Sequence, residues 1–134
     1  MKKDIRLLVE TLRRRPSVTF AYLFGSKVKG YGNERSDWDI AVYFSKWEEK
    51  TKHWHAFELE AELSKVIGGV VQVIVLNSSL SPVFGFEILK DGILLLDRNE
   101  NLRLDFENRT IRHYYDWQYF LKRQMKEERR LSRT

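Results

Sequence analysis

Four short runs rich in β-branched and aromatic residues, at 18–24, 37–44, 70–76 and 93–96, alternate with stretches of helical spacing and with glycines. That alternation restricts the chain to a sheet layered with helices. Ahead of the first run, Ile5, Leu8, Val9 and Leu12 recur at helical spacing before Pro16, which predicts an amphipathic opening helix over about 3–14. Residues 25–35 hold three glycines and an asparagine and predict a loop with at most a short helical turn. Residues 47–67 contain neither Gly nor Pro and end at Gly68-Gly69. A long helix is expected there, with Trp54, Phe57, Ala61, Leu63, Val66 and Ile67 on its inner face. The run at 70–76 barely alternates and reads as a strand buried on both faces. Ser81 suits the N-cap of a short helix over 82–89, Gly92 turns the chain, and the pattern from Asn99 is helical to near the end. Leu102, Phe106, Ile111, Tyr114 or Tyr115, Trp117, Phe120 and Leu121 are its expected inner face. The predicted class is α/β (α+β), a small mixed β-sheet covered by helices in a single domain over 1–134, with a basic helical C-terminal region at about 99–134.

With 43% hydrophobic and 13% aromatic residues in 134, the chain has enough apolar surface for one core, and disorder is excluded. The absence of cysteine excludes a disulfide framework, a thiol nucleophile and a cysteine-ligated zinc site, and suits a reducing compartment. No apolar run approaches the ~20 residues of a membrane span. The opening Met1-Lys2-Lys3-Asp4-Ile5-Arg6 lacks the apolar stretch of a secretory signal, so a cytoplasmic protein with no membrane partner is expected. The net charge is +5, and residues 109–134 alone carry eight cations against three acids. Such a tail is either the solvated face of a terminal helix or a docking surface for RNA or for a partner.

One 15-residue window, with Gly25, Ser26, Gly30, Ser36, Asp37 and Asp39, carries chemistry. Period-two alternation sends Asp37 and Asp39 to the same face of a strand, their Cα atoms roughly 6.6 Å apart, and Trp38 to the other. Two converging carboxylates form a hard-oxygen site suited to Mg²⁺, which takes its remaining ligands from water and nucleotide phosphates. Gly25 lets the backbone approach an anion, Ser26 offers a hydroxyl and an amide, and Lys27, Lys29 and Arg35 add positive charge. A nucleotide held there would expose its α-phosphorus to in-line attack. An isolated Asp-x-Asp is usually a pair of exposed acids. Two same-facing charges at a strand start, directly after a strand and a Gly-Ser loop, are costly without a cation. Other motifs fail on spacing: after Gly30 stands Tyr31-Gly32 rather than the Lys-Ser or Lys-Thr of a Walker A loop, and the third glycine of a dinucleotide fingerprint is missing. His53 and His55 point about 200° apart on a helix and are poor joint ligands, so both are expected to be exposed.

Gly25-Ser26, ten intervening residues and Asp37-Trp38-Asp39 spell Gly-Ser-x10-Asp-x-Asp, which resembles the DNA polymerase β-like nucleotidyltransferase superfamily. With Gly30 and Ser36-Asp37-x-Asp39-Ile40, the resemblance is to its minimal nucleotidyltransferase (MNT) proteins, over essentially the whole chain. It implies a nucleotidyltransferase fold, ATP or another NTP as substrate, and Mg²⁺ or Mn²⁺ held by Asp37 and Asp39 as catalytic carboxylates. Gly25, Ser26, Gly30 and Ser36 would lie at the nucleotide phosphates. MNT proteins are typically antitoxins of HEPN-domain toxins. The resemblance therefore implies a HEPN partner, neutralised by transfer of AMP to one of its tyrosines or by complex formation. Transfer to RNA or a small molecule is a third reading, and oligomerisation is left open. The superfamily's third carboxylate belongs on the next core strand, where this chain has Gln72. Glutamine can accept a metal bond or orient a hydroxyl but cannot serve as general base near neutral pH. Glu87 and Asp91 are read as surface acids rather than as its substitute.

Overall fold

A computed structural model describes residues 2–30, 36–46 and 52–132. Arg35 and residues 47–51 of the expected long helix lie outside the described residues, as does the side chain of His53. The elements follow as α1 (Lys2–Arg13), β1 (Val18–Phe24), α2 (Ser26–Lys29), β2 (Trp38–Phe44), α3 (Lys52–Ile67), β3 (Val71–Val75), α4 (Pro82–Asp91), β4 (Ile93–Asp97) and α5 (Glu100–Ser132). The four strands form one sheet in the order β3-β2-β1-β4. β1 runs antiparallel to both β2 and β4, whereas β2 and β3 are parallel. This is the expected mixed sheet covered by helices.

β1 is buried along its whole length because it lies between β2 and β4 and is covered on both faces. On one face, Leu8 and Leu12 of α1 and Leu59 and Leu63 of α3 pack against Val18, Leu23, Ile40 and Val42. On the other, Ile88 of α4 and Phe106 of α5 pack with Phe20, Tyr22, Phe24 and Ala41. Arg15, in the turn after α1, binds Glu62 of α3, and the Arg98 guanidinium donates to the carbonyls of Arg13, Arg15 and Val18, tying the end of β4 to the turn before β1.

Three expected faces differ from what forms. On α3, Trp54 and Phe57 are 62% and 63% exposed and stack on each other, while Ala56, Leu59, Leu63 and Ile67 face the sheet. Leu63 and Ile67 lie inside as expected, whereas Ala61 and Val66 are exposed with Trp54 and Phe57; both faces recur at helical spacing, and docking of α3 against α1 and β3 selects between them. His55 is half-buried with its ring 6.2 Å from Phe44 rather than exposed. β3 is an edge strand with Gln72 exposed between Val71 and Val73, because only β2 pairs with it and α3 packs on the opposite face, the one that bears Val71 and Val73. On α5 only Phe106 is buried and Leu102 packs beside it; Tyr115, Phe120 and Leu121 of the expected inner face stand in solvent. The helix is longer than the sheet it leaves, so its apolar side continues past the core.

Candidate nucleotidyl-transfer site

The end of β1 makes the site possible. Gly25 has φ +82° and ψ −157°, a conformation that L side chains rarely adopt, and caps the four-residue α2. A Cβ on Gly25 would overlap Asp39 Oδ2. The glycine therefore both turns the chain and leaves room for a carboxylate. Ser26 opens α2, and Gly30 closes it in the left-handed region at φ +84°. Gly30 is needed for that turn rather than for close approach, since a Cβ there would meet nothing within 4 Å.

Asp39 sits in β2 opposite Phe24 of β1 and level with Gln72 of parallel β3. Alternation places it on the face of β2 that also bears Ala41 and Tyr43, while Trp38, 7% exposed, packs into the core on the other face. Asp37 lies one residue before the strand, whose first residue is anchored by the Trp38 amide donating to the Val70 carbonyl at 2.9 Å. Ser36 is half-buried immediately before it. Gln72 Nε2 donates to Asp37 Oδ2 at 3.2 Å. The two expected carboxylates and the glutamine in the expected third position are thus brought together on one edge of the sheet.

Burial first, and the Asp37 charge second, push the Asp39 carboxyl above its usual range. Ionising both acids is costly as they stand, which is the electrostatic condition a divalent cation relieves. The oxygen-only donor set, and the space that glycine leaves at Asp39 Oδ2, fit Mg²⁺. Among the described residues no third Asp, Glu, His or Cys completes a metal-ligating cluster. Glu87 is exposed on α4, and Asp91 forms an ion pair with Lys29 at 3.7 Å. Lys27 holds its ammonium 4.7 Å from the centre of the Trp38 ring, so the residue between the two acids also seats a cation of α2.

Sequence reasoning missed a second polar cluster, behind the site. The Tyr22 hydroxyl donates to Glu107 at 2.6 Å, and Arg103 binds both Glu107 at 2.9 Å and Asp97 at 2.6 Å. Burial and the Glu107 contact push the Tyr22 phenol well up. The spacing of Asp97, Arg103 and Glu107 was the only signal, because Tyr22 meets them only once α5 packs on β1.

The Polbeta family, described as Polymerase beta, Nucleotidyltransferase, matches residues 7–101. No curated protein sequence matches the chain. Among solved structures, a chain in the crystal structure of a toxin–antitoxin with AMP-PNP is 25% identical at a TM-score of 0.72, covering 92% of this chain and 96% of that one. A chain in the structure of the toxin–antitoxin MntA–HepT is 22% identical at a TM-score of 0.70, covering 95% and 97%. A third similar chain comes from the tri-AMPylated Shewanella oneidensis HEPN toxin in complex with MNT antitoxin, at 23% identity and a TM-score of 0.68, covering 94% and 96%. The family match contains every residue of the Gly25, Asp37, Asp39 and Gln72 constellation, and the chain belongs to the Polymerase beta nucleotidyltransferase family.

Proposed function

We propose that this protein is an MNT-type antitoxin that transfers AMP, or another NMP, from an NTP to a hydroxyl of a HEPN-domain toxin, most simply a tyrosine, in the cytoplasm. The observation that carries the reading is the placement of the Asp39 carboxylate against Gly25, with Asp37 and Gln72 alongside. The neighbours with AMP-PNP and with an AMPylated HEPN toxin support both substrate and acceptor.

Asp37 and Asp39 would hold Mg²⁺ or Mn²⁺, which supplies charge neutralisation at the phosphates when bound. Gly25 and Ser26, with Gly30 and Ser36 framing the loop, would seat the triphosphate. The acceptor oxygen attacks the α-phosphorus, the bond to the β-phosphate bridging oxygen breaks, pyrophosphate leaves, and the acceptor proton passes to water. Gln72 keeps Asp37 in place through its amide and takes no proton. Nucleotidyl transfer depends mainly on positioning and electrostatics, so a site without the third carboxylate retains most of what the reaction needs.

Gln72 also favours a second reading, in which a catalytically weakened protein neutralises its partner by complex formation. Intact-mass measurement of a HEPN-domain toxin encoded beside this protein, after incubation with it, ATP and Mg²⁺, separates the two. A gain of one or more AMP units, absent with Asp37→Asn, supports transfer. An unmodified toxin held inhibited in a stable complex supports binding alone.

A further inference from the structure

The family match ends at residue 101, so α5 lies almost wholly outside it, and from Tyr115 onward every described residue of this helix except Gln118 is exposed. At 3.6 residues per turn, Tyr115, Tyr119, Lys122, Arg123, Lys126 and Arg129 fall within one arc of about 120° and extend along ~21 Å of helix. All six are exposed, the two tyrosines by 57% and 65%. The nearby acids Asp116, Glu127 and Glu128 project outside the arc, and Glu127 is already paired with Arg130 at 2.7 Å. Arg123 lies 5.9 Å from the centre of the Tyr119 ring, so two aromatic faces and then four cations follow one another along one arc that holds no acid. This side is opposite to that of Phe106, which enters the core.

We propose that this face of α5 is a docking surface for single-stranded RNA. A strand of RNA offers a line of phosphates to the four cations and unpaired bases to the two rings, and a surface with both features binds such strands by charge and stacking together. An acidic protein surface would match the charges but offers no unpaired bases to stack on the two exposed rings. An anionic membrane is disfavoured because Glu128 projects between Trp117 and Leu121 on the apolar side that would have to insert. The proposal is independent of nucleotidyl transfer at Asp37 and Asp39.

The test is fluorescence anisotropy of a labelled oligouridylate with the 134-residue chain across a salt series, without nucleotide. Binding is expected to weaken with salt at a log–log slope of about −3, the value for four neutralised phosphates on a single strand. Lys122→Gln combined with Lys126→Gln and Arg129→Gln should reduce affinity about tenfold or more and bring the slope to about −1. Tyr115→Ala with Tyr119→Ala should cost about fivefold or more with the slope unchanged. Circular dichroism confirms that each variant stays helical. The proposal is overturned by absence of binding at low salt, by full affinity in the tyrosine variant, by an equal loss from Lys65→Gln with Lys90→Gln elsewhere on the surface, or by tighter binding to anionic vesicles or a poly-glutamate peptide than to RNA.

Discussion

Gln72 stands level with Asp39 across the parallel pairing of β2 and β3. Its amide reaches past that residue to Asp37 at 3.2 Å. The edge strand therefore contributes a hydrogen-bond donor where its position in the register would let a carboxylate join the pair, and this decides what the site can and cannot do with a proton.

Replacing Gln72 with Asp tests that relationship directly. The variant adds a potential base and ligand, so the rate of Mg²⁺-dependent transfer should rise, by up to the ~10²-fold that a general base contributes at the low end of its range. Without metal the same variant should melt lower than the wild type, because a third negative charge replaces a donor. Single-turnover transfer and thermal melting with and without Mg²⁺ read the two effects. An unchanged rate would show that proton removal does not limit the reaction.

Gly25→Ala should damage the site more than the fold. Alanine at φ +82° is strained by ~1–3 kcal/mol, and its methyl group would overlap Asp39 Oδ2. Transfer and Mg²⁺ binding should both be lost while the variant remains folded with a reduced melting temperature. Isothermal titration with Mg²⁺ and nucleotide checks this, and wild-type affinity would show that the glycine is not part of the cradle.

The raised Asp39 carboxyl sets a pH dependence whose sign follows from linkage. A group that binds its proton more tightly when folded contributes stability that is full below its unfolded value of ~3.9 and is lost as pH rises through the folded value. Metal-free Asp39→Asn should accordingly melt above the wild type at pH 7, with the gap closing as the pH falls through the folded value. Adding Mg²⁺ at pH 7 should stabilise the wild type and not the variant. Melting curves over pH, with and without metal, measure both. A metal-free variant less stable than wild type at neutral pH would remove the electrostatic argument for a cation at this site.

The two halves of α5 should respond very differently. Phe106 is 9% exposed and contacts the rings of Phe20 and Tyr43, so Phe106→Ala should cost ~3–5 kcal/mol. Ending the chain after Tyr115 removes turns that are exposed except at Gln118, whose amide donates to the Tyr114 hydroxyl at 2.7 Å, and leaves Tyr114 stacked on Phe86 at 3.9 Å; stability should change by about 1 kcal/mol or less. Urea denaturation distinguishes the two, and a large loss on truncation would mean that the distal helix supports the core.

The sequence by itself determined the order of the elements, the boundaries of β1 and the convergence of Asp37 and Asp39. These rest on local rules: period-two alternation, the breaking of strands and helices by glycine, and the Ser81 cap, whose hydroxyl accepts the Phe84 amide at 3.1 Å. Only the tertiary structure decided which of two helical faces α3 buries, that β3 is an edge, that Gln72 lies level with Asp39, and that the aromatic side of α5 leaves the core after Tyr114. Each of these depends on what a face meets across space. A helical repeat is the same whether a neighbouring layer covers it or water does, and a strand's register exists only once its partner is paired.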